Sequence, residues 1–143
     1  MYQLLAEPLV ALSVLLLLAV IAHYMWIQLT VGRLRLAKGI EAPAVTGDPE
    51  FERAYRVQAN SVEQLAIFLP CYMILIVLTG LLGSDVFLWI TVALGFLYLV
   101  GRVLYARTYM TDASKRAIGA AITFVVNVLM LLALIVQFLI FLF

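Results

Sequence analysis

The chain has 143 residues, 66% of them hydrophobic and only 12% charged, with a formal net charge of +1. A soluble domain of that length needs far more charge to cover its surface, so an ordinary soluble globular protein is excluded, and the apolar runs leave no room for a large soluble module. One domain is expected over 1–143, and the single cysteine, Cys71, excludes an internal disulfide framework and a multi-cysteine metal site.

The first apolar run, Pro8 to about Leu29, is broken only by His23 and Gln28. It meets the requirement of about 20 helical residues for crossing the hydrocarbon core. No basic region precedes it and no small-residue cleavage site follows, so it reads as a retained span rather than a removed signal peptide. Helix is expected over 6–37. His23 stands alone, and no metal is expected. Gly39 to Pro49 (GIEAPAVTGDP) is rich in Gly and Pro and reads as a loop.

The second helix, expected over 49–82, joins a polar but helix-compatible stretch to the run Leu65–Gly83. Cys71 reads as a small apolar side chain there. Pro70 is expected to bend the helix where neighbouring helices can accommodate the bend. Leu82-Gly83-Ser84-Asp85 is a tight turn, with Ser84 or Asp85 able to cap a third helix over 85–110. Thr111-Asp112-Ala113-Ser114 is a second short link, with Asp112 or Ser114 as the cap of a fourth helix over 113–143. Asn127 and Gln137, the only strongly polar members of the fourth run, are expected to hydrogen-bond between helices. Spans two and three are long enough only if their polar extensions stay helical at one membrane face. The expected fold is an all-α integral membrane protein, a four-transmembrane-helix bundle.

The cations are Arg33, Arg35, Lys38, Arg53, Arg56, Arg102, Arg107, Lys115 and Arg116. With four spans, the first and third connections share one side, and every cation falls there. The positive-inside rule therefore puts both connections in the cytoplasm and both termini outside. The lean loops and the lack of a retention tail point to a bacterial inner membrane, with an organelle membrane as the eukaryotic equivalent.

Arg53, Arg56, Asn60 and Glu63 follow at spacings of three, four and three on one face of the second helix, with Gln58 and Gln64 to the sides. Tyr98, Arg102, Tyr105 and Tyr109 form a matching stripe on the third. Arg33, Lys38, Arg107 and Lys115 read as cations snorkelling to lipid phosphate, and Tyr98 as an interfacial belt residue. Asn60 and Glu63 lie on the membrane side of Arg56, where an unpaired carboxylate is costly. Spacing alone leaves open whether Glu63 meets a cation from a neighbouring helix or from a ligand. Such a set suits a small polyanion: guanidinium forks match carboxylates, an amide both donates and accepts, and a carboxylate holds an ammonium group. An apolar second substrate could arrive laterally from the lipid.

The stretch Thr46-Gly47-Asp48-Pro49-Glu50-Phe51-Glu52-Arg53-Ala54-Tyr55-Arg56-Val57-Gln58-Ala59-Asn60-Ser61-Val62-Glu63 resembles the signature of the MAPEG family, the membrane-associated proteins in eicosanoid and glutathione metabolism. The four-span layout agrees along the whole chain. Arg102-Val103-Leu104-Tyr105-Ala106-Arg107-Thr108-Tyr109, with Arg116 seven residues on, resembles the branch holding leukotriene C synthase and the microsomal glutathione transferases.

The resemblance implies a homotrimer with glutathione as co-substrate, an apolar or lipid electrophile as its partner, no metal and no nucleic acid. It assigns glutathione binding to Arg56, Asn60, Glu63, Tyr105 and Tyr109, to Gln58 from a neighbouring subunit, and to an arginine at the end of helix one. Ungapped alignment makes that arginine Arg35, and a two-residue shift would make it Arg33. Arg116 takes the place of the arginine that stabilises the thiolate. The activity implied is conjugation of glutathione to apolar electrophiles, with peroxidase action on lipid hydroperoxides beside it. The alternative is a non-catalytic lipid-binding member. Gln64 and Leu36 stand where the leukotriene-forming enzyme has a tyrosine and a second arginine, which argues against leukotriene C synthesis itself.

Overall fold

The structure is a computed structural model that describes residues 8–143. Among these residues there are four long helices and no strand: α1 (Pro8–Ala37), α2 (Pro49–Leu82), α3 (Asp85–Thr111) and α4 (Ala117–Leu142), with a 3₁₀ turn (Ala113–Arg116) leading into α4. Residues 6 and 7 of the expected first helix lie outside the described residues.

Local chemistry sets the helix ends. At the end of α1, the Ile40 N–H reaches the Arg35 carbonyl (3.0 Å) and the Gly39 N–H reaches that of Leu36 (3.3 Å). This is a Schellman ending, with Gly39 in the left-handed conformation it requires (φ +63°) and Ile40 packed beside Leu34 on the Val31–Phe51–Ala54 cluster. Asp48 caps α2 by accepting from the Glu50 and Phe51 N–H groups (3.0 and 3.1 Å), and Pro49 occupies the first turn, where no N–H is missed. The helix continues through Pro70. Ser84 stands at the cap position of α3, but its hydroxyl makes no capping bond. Asp112 accepts from the Ser114 N–H and hydroxyl and so caps the 3₁₀ turn, while α4 proper begins only after Arg116.

The central core draws on all four helices: Val10 and Val20 of α1, Phe68 and Leu75 of α2, Leu88 and Leu94 of α3, and Val126 and Met130 of α4. Phe68 lies between Tyr98 (centroids 3.7 Å apart) and Tyr72 (4.9 Å) in a stacked aromatic column. Tyr98 is thus no belt residue. It is fully buried, because its place on the α3 stripe faces α2 rather than the membrane surface.

Helices α3 and α4 approach closely at Gly119. A Cβ there would run into the backbone N and Cα of Tyr105 and the Gly101 carbonyl oxygen. Small residues of this kind let helix backbones meet in a membrane. Here the contact brings the start of α4 against Tyr105.

Leu15, Leu18, Ile67, Met73, Trp89, Phe96, Phe124, Leu131 and Phe138 face outward on all four helices. Apolar exposure on that scale, on helices each long enough to cross a bilayer, makes lipid the solvent of this fold. The chain is an integral membrane protein.

As expected, Asn127 and Gln137 bond across helices. Asn127 Nδ2 donates to Gln64 Oε1 (2.9 Å). The Thr79 hydroxyl lies 2.9 Å from the Gln137 side-chain amide and 3.0 Å from the Thr91 hydroxyl, which donates to the Phe87 carbonyl (2.8 Å). Two hydroxyl protons cannot serve three oxygen–oxygen contacts. Turning the Gln137 amide so that Nε2 donates to Thr79 satisfies all three, and gives the otherwise unpartnered Nε2 an acceptor.

Candidate functional site

All nine cations gather at one end of the bundle, because α1 and α3 finish there and α2 and α4 begin there. Three ion pairs form among the described residues: Lys38 with Asp48 (3.2 Å), Lys38 with Glu50 (3.1 Å), and Lys115 with Asp112 (3.7 Å). All bind connections to helix starts. The Phe51 N–H bond and then Lys38 hold the Asp48 carboxyl below its ordinary range, and Glu50 and then Asp48 hold the Lys38 ammonium above its own. Hydrogen bonds from Ser114 likewise lower Asp112.

Deeper in, the pairing stops. A cavity of about 280 Å³ is lined by Asn60, Glu63 and Gln64 of α2, Arg102 and Tyr105 of α3, Arg116, and Ala120 and Thr123 of α4. Asn60 Nδ2 donates to the Tyr105 hydroxyl oxygen, leaving the phenol proton free to donate. The Arg102 guanidinium lies over the Tyr105 ring (4.5 Å), and that of Arg116 over the Tyr109 ring (5.6 Å). Glu63 forms no ion pair among the described residues, and no neighbouring helix supplies it a cation there.

A second cleft, about 570 Å³, opens at the same end between Arg53, Arg56 and Glu52 of α2, Tyr109 of α3, and Asp112 and Ala113 of the α3–α4 connection. Arg53 is fixed there by donating from Nε to the Met110 carbonyl (2.9 Å), while Arg56 is exposed. The second space falls within the range of about 300–1,000 Å³ usual for small-ligand sites, and the first lies just below it.

Of the residues singled out in the sequence, Asn60, Glu63, Tyr105 and Arg116 meet in the cavity, and Arg56 and Tyr109 meet in the neighbouring cleft. Gln58 lines neither. Arg35 is turned away. The Schellman ending folds the loop back over α1, so its guanidinium donates to the carbonyls of Ala44 (2.9 Å) and Ile40 (3.3 Å) and covers the Phe51 ring (4.8 Å). Arg33 is exposed and lines a separate cleft with Trp26, Thr30 and Glu50.

Gln64, Arg102, Ala120 and Thr123 line the cavity without a site role assigned from the sequence, and the first two carry the chemistry. Gln64, placed beside the stripe, belongs to it, since it stands four residues after Asn60 on the same helical face. Arg102, given no role, is buried to 4% exposure. The available signal was its depth: a cation inside an apolar span must face protein, not lipid.

A model of the MAPEG family matches residues 12–136. An uncharacterised protein of Synechocystis is 42% identical over 101 residues, 69% of this chain and 67% of that protein. Human microsomal glutathione S-transferase 2 is 40% identical over 94 residues, 66% of this chain and 59% of the enzyme. Bovine leukotriene C4 synthase is 30% identical over 91 residues, 64% and 56% respectively. The chain thus spans less than two thirds of the length of the mammalian relatives it matches.

Proposed function

The chain belongs to the MAPEG family, and from that membership we propose that it is a membrane-bound glutathione transferase that joins the glutathione thiol to apolar electrophiles. The observation that carries this reading is the cavity in which Asn60 and Glu63, Tyr105, and Arg116 converge from three directions, beside the cleft holding Arg56 and Tyr109. In this reading Arg56 takes a glutathione carboxylate, Glu63 the ammonium group, and Asn60 with the two tyrosines the peptide between.

The thiol then faces Arg116. Free thiol, with a pKa near 8.5, is only a few per cent ionised at pH 7, and a permanent guanidinium charge favours the anion. The S–H proton passes to water and both electrons stay on sulfur. That lone pair forms the new C–S bond, and the leaving group departs with the pair it shared with carbon. With a lipid hydroperoxide, two glutathiones give the disulfide while the peroxide becomes an alcohol and water.

The 143 residues act as one domain of a homotrimer, whose neighbouring subunits bring Gln58 and a helix-one arginine to the site. With Arg35 held on loop carbonyls, Arg33 is the freer candidate. The cation-rich end faces the cytoplasm and the termini face outside. The apolar partner reaches the sulfur from the bilayer.

Incubation of the purified protein with glutathione and chlorodinitrobenzene tests the reading. It predicts adduct formation that Arg116→Ala suppresses by about 10²–10³, the usual cost of losing one electrostatic stabiliser. No adduct, or an unchanged rate in Arg116→Ala, overturns it.

A further inference from the structure

Arg102 is the most deeply placed cation of the molecule. It lies seven residues further into the membrane along α3 than Tyr109, roughly 10 Å at the helical rise. It is only 4% exposed, yet no carboxylate among the described residues pairs with it. Its one side-chain hydrogen bond runs from Nη2 to the Ser61 hydroxyl (2.6 Å), which itself donates to the Val57 carbonyl (2.6 Å). One hydroxyl and one aromatic face do not offset burial of a guanidinium, and this group cannot shed its charge by deprotonating. They do fix its aim. Ser61 grips one corner, the Tyr105 ring covers one face, and Arg102 lines the cavity.

The cavity carries two guanidiniums, Arg102 and Arg116, against one carboxylate, Glu63. Arg116 enters from the start of α4, at the membrane surface, and Arg102 from the hydrocarbon side. An anion between them would lie where a water-soluble reactant meets one dissolved in lipid.

We propose that Arg102 is a second thiolate-binding residue, holding the glutathione sulfur from the membrane side jointly with Arg116, and that Ser61 is the positioning residue that aims it. This rests on the reading that glutathione occupies the cavity. The step is the same proton loss: the S–H bond breaks, its electrons stay on sulfur, and the proton passes to water at the cavity mouth. Arg102 adds charge at the deep end, where water screens it least.

The test is an ultraviolet titration of the thiolate in the purified protein saturated with glutathione, paired with equilibrium dialysis of S-methylglutathione, which has no ionisable sulfur. Arg102→Gln should raise the apparent pKa of the bound thiol by at least one unit, a tenfold loss of thiolate at pH 7. S-methylglutathione affinity should stay within about threefold. Ser61→Ala, which removes only the aiming bond, should shift the pKa in the same direction by a smaller amount, and it decides the matter if Arg102→Gln does not fold. Wild-type titration in the folded variants overturns the proposal. So does a tenfold loss of S-methylglutathione affinity at unchanged thiol pKa, which would make Arg102 a carboxylate anchor. A wild-type protein that retains no glutathione defeats the transferase reading itself, a separate outcome.

Discussion

Two polar clusters bridge helices in this bundle, and they are built on opposite plans. Near the end where α2 turns into α3, Thr79, Thr91 and Gln137 close on one another across three helices, each nearly or fully buried. Near the cation-rich end, Arg102, Arg116 and Glu63 border a cavity without forming an ion pair among the described residues. A polar cluster that exists to hold helices together satisfies itself, because bilayer lipid offers no partners. One that keeps charges unpaired at a cost is waiting for a ligand.

The contact that joins the cavity to the fold gives the largest expected effect. Gly119→Ala would press a methyl group onto the Tyr105 backbone. Overpacking of that kind costs about 1–3 kcal/mol. Equilibrium unfolding in mixed micelles should show that loss together with weaker glutathione binding, since α4 also carries Arg116 to the cavity. Normal stability in Gly119→Ala would mean that α3 and α4 are not tightly locked at this contact.

Glu63→Gln separates function from stability. Removing an unpaired carboxylate should leave the melting temperature unchanged or raised, while glutathione affinity measured by calorimetry falls tenfold or more, about 1.4 kcal/mol. A stability loss instead would make Glu63 a structural ion. The reverse holds at the clasp. Thr79→Val removes the hydroxyl shared by Thr91 and Gln137. It should lower stability by about 1 kcal/mol, in line with interhelical hydrogen bonds in membranes, and leave adduct formation untouched.

The smallest effect is a pH dependence at the α1–α2 connection. Asp48 is held below its ordinary value of 3.8, so its contribution is complete above that value and is lost as pH falls through the lower folded one. Lys38 is held above 10.5, so its contribution is complete below that value and is lost as pH rises through the higher folded one. Amide exchange in the first turn of α2 should quicken outside these limits and show no such step between them.

The four-helix plan was legible in the sequence because apolar runs, Gly39 and the Asp112 turn act locally. The meeting of Asn60, Glu63, Tyr105 and Arg116 in one cavity agrees with the stripes read at helical spacing. What escaped depended on how helices rotate and loops fold back. The burial of Arg102 is set by which face of α3 meets α2, and that face also buries Tyr98. The capture of Arg35 is set by a loop whose carbonyls return over α1. Neither can be read from spacing along one helix.

The melting temperature of the purified protein with and without millimolar glutathione tests most directly whether the cavity binds this ligand. Binding to the folded state alone stabilises by about 2.7 kcal/mol at a hundredfold excess over Kd. A rise of several degrees is predicted in the wild type, and it should shrink in Glu63→Gln. No shift in the wild type, with the cavity side chains intact, would mean that the cavity is not a glutathione site.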